Sequence, residues 1–141
     1  MIIDDKLMKY VVFKKRTEME VRQKCARLEY KEDYIEEIIN YLSENKYIDD
    51  ERYVEKHVNE IMRIKKASIY EIKLDLLRRG IDRDYIENYI SAHREELEDF
   101  EYKSAKKIVD KKIQTEDIEK IKKYLIGKSY SYKVISNAID N

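Results

Sequence analysis

Proline is absent from the 141 residues, and glycine occurs only as Gly80 and Gly127. Without the two strongest helix breakers, the chain reads as almost wholly helical. The single cysteine, Cys25, excludes an internal disulfide. No stretch approaches the ~20 apolar residues that a membrane-spanning helix needs, and no apolar run opens the chain as a signal peptide would. The expected location is therefore the cytoplasm, with no membrane contact. No glycine loop that could cradle phosphate is present, so the chain is not expected to bind or hydrolyse ATP. Net charge is also missing, because thirty Lys and Arg balance thirty Asp and Glu. That balance is poor support for a free-standing nucleic-acid binder. Residues 99–141 alone lean basic, with ten cations against seven carboxylates.

What the chain does contain is repetition. Val21 and Ile35, Ile72 and Ile86, and Ile121 and Ile135 are each separated by 14 positions, and the copies start 51 and then 49 residues apart. The columns around these anchors agree in chemistry. Thr17, Ser68 and Asp117 are all good helix N-caps. Cys25, Leu76 and Leu125 share a column, as do Tyr30, Ile81 and Tyr130, and Ile39, Ile90 and Ile139. Self-similarity at a fixed period marks a repeat architecture, and repeat proteins usually present an extended surface to a partner instead of a catalytic pocket. Charged residues make up 43% of the chain, enough to raise the question of disorder, but the regular Ile, Leu and Tyr can bury a core.

Each copy reads as three helices. The first of copy one starts near Asp4 or Asp5 and is expected to run to about Arg16. Thr17 with Glu20 forms a capping box for the second, and Ser68 with Glu71 repeats it. The third spans about Lys31 to Glu44. Asp49 and Asp50 are N-cap candidates for the next copy, and Gly80 stands where its second helix should stop. The fold expected is all-α: three tandem three-helix, helix-turn-helix-like repeats at 1–48, 49–98 and 99–141, in an elongated, curved array. Nothing in that arrangement requires the chain to be other than a monomer.

Several segments carry a family resemblance. Arg16-Thr17-Glu18-Met19-Glu20-Val21, Tyr47-Ile48-Asp49-Asp50-Glu51-Arg52-Tyr53-Val54, Leu77-Arg78-Arg79-Gly80-Ile81, and Lys123-Tyr124-Leu125 followed by Ser129-Tyr130-Ser131 occur in an order and spacing similar to the RecX family. The likeness runs from about residue 6 to 140. Two positions depart from the family pattern: Ser129, and Asn45-Lys46, stand where glycine is common. The resemblance implies a non-enzymatic regulator that binds the RecA recombinase and its filament on single-stranded DNA. Such a regulator restrains filament extension or activity in recombination, DNA repair and the SOS response. It implies no catalytic residue and no cofactor.

Candidate contact residues gather where each first helix meets the second: Lys14, Lys15 and Arg16; Arg63, Lys65 and Lys66; and Lys106, Lys107, Lys111 and Lys112. Three such corners could face a polyanion or an acidic protein surface. The plain alternative is that cations favour helix C-termini. Arg22, Arg78 and Arg79, with Lys24, Arg27 and Lys128, are further candidates on or just after the second helices. Weak non-specific DNA contact is compatible with these charges. A helix-turn-helix transcriptional regulator is the competing function. However, third helices that open with Glu32 and Asp33, or with Asp82 and Asp84, would repel phosphates. Tyr30, Tyr34, Tyr85, Tyr89 and Tyr130 fall in apolar columns and are expected in the core with hydroxyls reaching the surface, whereas Tyr47 and Tyr132 are less constrained. Cys25 aligns with leucines and reads as a buried thiol. His57 and His93 lack partners at ligand spacing, so no metal site is expected.

Overall fold

The computed structural model describes residues 1–141 and contains nine α-helices and no strand. In chain order these are α1 (Asp5–Phe13), α2 (Glu18–Arg27), α3 (Glu32–Glu44), α4 (Asp50–Ile64), α5 (Ile69–Arg78), α6 (Arg83–Ala92), α7 (Arg94–Lys112), α8 (Ile118–Gly127) and α9 (Tyr132–Asp140). They group into two compact units. One comprises Met1–Lys56 with Leu77–Ile81, the other His57–Leu76 with Asp82–Asn141, so that α4 and α5 contribute to both.

The repeated columns are the buried ones. Val21, Ile72 and Ile121 are at most 2% exposed, and Cys25, Leu76 and Leu125 are fully buried. In the first unit, α1, α2 and α3 close around Leu7, Val11, Val21, Cys25, Ile35, Ile38 and Leu42. Burial pushes the Cys25 thiol pKa up, so it is held protonated as a small apolar group. In the second unit, α7, α8 and α9 pack through Ala105, Val109, Ile121, Leu125, Ile135 and Ala138.

Local chemistry sets the helix ends. Thr17 makes both bonds of its capping box with Glu20. Ser68 Oγ accepts from Glu71 N at 3.1 Å, while Ser68 N donates to Glu71 Oε1 at 3.0 Å. Asp117 accepts from Lys120 N at 2.9 Å. The second helices all stop at a left-handed residue, Glu29 (φ 62°), Gly80 (φ 88°) or Ser129 (φ 67°), and Lys46 ends α3 in the same way (φ 63°). Ser129 and Lys46 therefore adopt the conformation that glycine adopts freely. Behind Glu29, Lys46 and Ser129, the next residue's N–H reaches back five positions: Tyr30 to Cys25 O, Tyr47 to Leu42 O and Tyr130 to Leu125 O, at 2.8–3.1 Å. This is the Schellman closure.

Two expectations are corrected, and one expected repeat boundary falls within a helix. The helix α1 ends at Phe13, three residues before Arg16, because Lys14 turns extended (φ −157°) and Arg16 Nε donates to the orphaned Tyr10 carbonyl oxygen at 3.0 Å. The boundary region at 98 and 99 lies inside α7, which starts only two residues after α6 ends. The Tyr130 hydroxyl does not reach the surface: the residue is 4% exposed and its oxygen lacks a hydrogen-bond partner. Burial and the nearby Glu71 and Glu101 carboxylates push its pKa well up.

Candidate partner-binding surface

Within each unit, the second-helix N-terminus does more than cap itself. Thr17 Oγ1 donates to the Arg79 carbonyl oxygen at 2.6 Å, and Ser68 Oγ donates to the Lys128 carbonyl oxygen at 2.7 Å. The next amide in each case is taken by a carboxylate. Glu18 N donates to Asp50 Oδ1 at 2.9 Å, and Ile69 N donates to Glu101 Oε2 at 2.7 Å. These two sets are the same joint built twice, and the joint fixes where the neighbouring cations stand.

In the second unit the joint brings two of the expected basic corners together. Lys65 and Lys66 beyond α4, Lys111 and Lys112 at the end of α7, and Lys128 after α8 line one cleft of about 760 Å³. Only Glu71 and Glu116 oppose these five lysines along its walls. Tyr124 forms part of the floor, with Lys112 Nζ 4.0 Å and Lys128 Nζ 5.7 Å from its ring centroid. The aromatic face partly stabilises a crowd of like charges. Lys112 also lies 3.7 Å from Glu116, whereas Lys65, Lys66, Lys111 and Lys128 make no ion pair. A partner bearing several negative charges would supply what these ammonium groups lack.

The first unit carries a smaller corner where Lys15, Arg16, Lys46 and Arg52 meet around Tyr47, Tyr53 and Asp49. Lys14 and Lys15 are exposed. Arg16, by contrast, is held by the Tyr10 carbonyl and lies 3.7 Å above the Tyr10 ring.

The remaining candidates do not join either cluster. Arg22 is forked between Glu18 (2.9 Å) and Glu36 (2.6 Å), and both carboxylates raise its pKa further above its already high value. Lys73 and Glu87 repeat this brace 51 positions on. Arg79 Nη1 lies 3.8 Å from Glu20, and Lys106 pairs with Asp110 at 3.2 Å. Arg63, Arg78 and Lys107 are exposed and line neither cluster. Sequence reasoning missed Tyr124, Lys46 and Arg52. Tyr124 shares its column with Lys24 and Asp75, so no pattern singled it out. His57 pairs with Asp75, and His93 stacks on Tyr89 at 4.1 Å. Tyr132 (78%) and Tyr47 (41%) are exposed. The acidic first turns of α3, with Glu32 and Asp33, and of α6, with Asp84, stand as expected. No helix is long and apolar enough to cross a membrane.

No protein-family model matches the chain. A regulatory protein RecX of Staphylococcus carnosus is 35% identical over 137 residues, covering 95% of this chain and 51% of the relative. The regulatory protein RecX of Clostridium acetobutylicum is also 35% identical over 137 residues, covering 88% of this chain and 61% of the relative. The chain thus spans about half to three-fifths of the length of these curated relatives. The crystal structure of RecX from Lactobacillus salivarius superposes with a TM-score of 0.79 at 29% identity, covering 96% of this chain and 91% of that one. A second crystal structure, of a regulatory protein RecX, gives a TM-score of 0.82 at 20% identity and supports the fold alone. With sequence and fold in agreement over almost all its residues, the chain belongs to the RecX family of regulatory proteins.

Proposed function

We propose that the chain is a non-enzymatic cytoplasmic regulator that binds the RecA recombinase filament on single-stranded DNA and restrains its extension or activity. The observation that carries this reading is the lysine cleft of the second unit. Lys65, Lys66, Lys111, Lys112 and Lys128 are held together by the fold with few opposing carboxylates. Like charges gathered without counter-charge raise the free energy of the unbound protein, and a partner of opposite charge relieves it. Membership in the RecX family supports the recombinase filament as that partner. The scaffold of the proposal is three three-helix repeats, α1–α3, α4–α6 and α7–α9, each with cations at or just beyond the end of its first helix. The acidic first turns of α3 and α6 disfavour the competing reading, in which these helices enter a DNA groove.

The test is the single-strand-DNA-dependent ATPase of the cognate RecA during titration with this protein. The expected result is inhibition at less than one regulator per recombinase. No inhibition, together with no binding to the assembled filament, rejects the proposal.

A further inference from the structure

Twelve large apolar side chains are more than two-fifths exposed, and scattered exposure of this kind is ordinary on a protein surface. Three of them are not scattered. Phe13 (80% exposed), Ile64 (57%) and Ile113 (48%) each lie four residues before the N-cap of the following helix, namely Thr17, Ser68 and Asp117. No other position relative to these caps is an exposed large hydrophobe in all three copies. Each is also where a first helix stops: Phe13 is the last residue of α1, Ile64 the last of α4, and Ile113 the C-cap of α7. The position persists even though the third copy is two residues shorter. Val54 and Val58 of α4 correspond to Ala105 and Val109 of α7 at 51 positions, whereas Ser68 corresponds to Asp117 at 49. The apolar residue therefore keeps step with the helix that follows it, not with the one it ends.

None of the three packs into the core, so burial does not explain them. Their neighbours are cationic: Lys14 and Lys15 follow Phe13, Lys65 and Lys66 follow Ile64, and Lys111 and Lys112 precede Ile113. An apolar side chain beside cations complements a hollow that is apolar inside and acidic at its rim. Nucleic acid is disfavoured, because phosphates offer nothing to an apolar side chain, isoleucine has no π-face on which a base could stack, and wedging such side chains between base steps costs unstacking energy. The occupant is a protein.

We infer that Phe13, Ile64 and Ile113 are anchors that insert into acidic-rimmed apolar hollows on a partner protein that presents the same hollow repeatedly, as the identical subunits of a filament do. This rests on the filament reading above and adds the apolar half of the contact. The cations steer the approach and weaken with salt, while the anchors hold the docked state and do not.

The experiment uses the full chain with Phe13→Gln, Ile64→Gln and Ile113→Gln, singly and together. Binding is measured to RecA filaments preassembled on single-stranded DNA, and to the bare DNA, at low and high sodium chloride. Glutamine is a good helix former, and far-ultraviolet circular dichroism should show unchanged helicity. Each single variant should raise the filament Kd by about fivefold to tenfold at either salt concentration, as expected for loss of one buried side chain. Bare-DNA binding should stay within about twofold. A folded triple variant that binds the filament as tightly as the unaltered chain overturns the inference alone. Loss of bare-DNA binding in that variant also overturns it, by making the side chains DNA wedges. Failure of the unaltered chain to bind filaments overturns the functional reading with it.

Discussion

The Ser68 hydroxyl accepts the Glu71 amide of its own helix and donates to the carbonyl oxygen of Lys128, sixty residues away, at 2.7 Å. Thr17 does the same with Glu20 and Arg79. A helix N-terminus has spare N–H groups and a helix C-terminus has spare carbonyls. One buried hydroxyl serves both ends at once, which explains why the column holds Ser and Thr where the joint forms. Asp117, whose carboxylate has no hydrogen to donate, is exposed and makes only the cap.

Removing the capping side chain should therefore cost more at Thr17 and Ser68 than at Asp117. Ser68→Ala loses the cap and leaves the Lys128 carbonyl without its donor, and a loss of about 2–3 kcal/mol is expected. Asp117→Ala loses an exposed cap alone, for about 0.5–1 kcal/mol. Urea unfolding followed by circular dichroism ranks the two. Equal losses would show that the hydroxyl-to-carbonyl bond contributes nothing.

The left-handed stop of each second helix predicts opposite signs for glycine exchange. Ser129→Gly relieves a strained φ with no side chain lost from the core, and should stabilise by up to about 1 kcal/mol. Gly80→Ala meets two obstacles. Its φ of 88° disfavours any side chain, and an added Cβ would fall on Met19 Cβ and within 2.6 Å of Met19 Sδ. A loss above about 2 kcal/mol is expected. Thermal melting of the two variants should move in opposite directions.

The joint carboxylates oppose the usual acid dependence. Burial is the largest influence on both Asp50 and Glu101 and raises their pKa, although each accepts a backbone N–H bond that favours the charged form. A carboxyl with a raised folded pKa binds more protons folded than unfolded. Its contribution is fully present below the unfolded value, about 4, and is lost as pH rises through the folded value. Glu36 and Glu87 behave oppositely: Arg22 and Lys73 hold their pKa values down, so their contribution is present above about 4.3 and lost on acidification. Glu101→Gln keeps an acceptor for Ile69 N–H and removes the buried charge. Stability measured from pH 4 to 7 should fall less steeply with rising pH in this variant than in the unaltered chain. An unchanged slope would refute the assignment to Glu101.

The columns make the core and caps legible in the sequence alone, because burial repeats wherever the same helix meets the same neighbour. Val21, Ile72 and Ile121 needed nothing more than spacing. What stayed hidden depended on contacts between residues distant in sequence. Asp49 and Asp50 read as two caps for one helix, yet Asp49 caps α4 through Arg52 N while Asp50 turns to α2. Arg16 and Arg22 looked like free cations because nothing in their own segments announced the Tyr10 ring or the Glu36 carboxylate as partners. Tyr124 became visible only once α7 and α8 had brought Lys112 and Lys128 over its ring.

The division between free and committed cations makes the last prediction selective. Lys65, Lys66 and Lys111 line the cleft without ion pairs, and Lys14 and Lys15 are exposed at the first corner. Arg22 already spends its charge on Glu18 and Glu36. Reversing Lys14, Lys15, Lys65 and Lys66 to Glu should abolish inhibition of the recombinase filament while helicity is retained, since none of the four is buried. Arg22→Gln should leave inhibition within about twofold, because its guanidinium is already engaged. Inhibition by the unaltered chain should weaken as sodium chloride rises, since steering between exposed charges is screened over about 8–10 Å at 0.1–0.15 M salt. Filament ATPase assays at two salt concentrations check all three outcomes. Full inhibition by the fourfold variant would show that the lysine corners do not face the partner, even if Arg22→Gln behaves as expected.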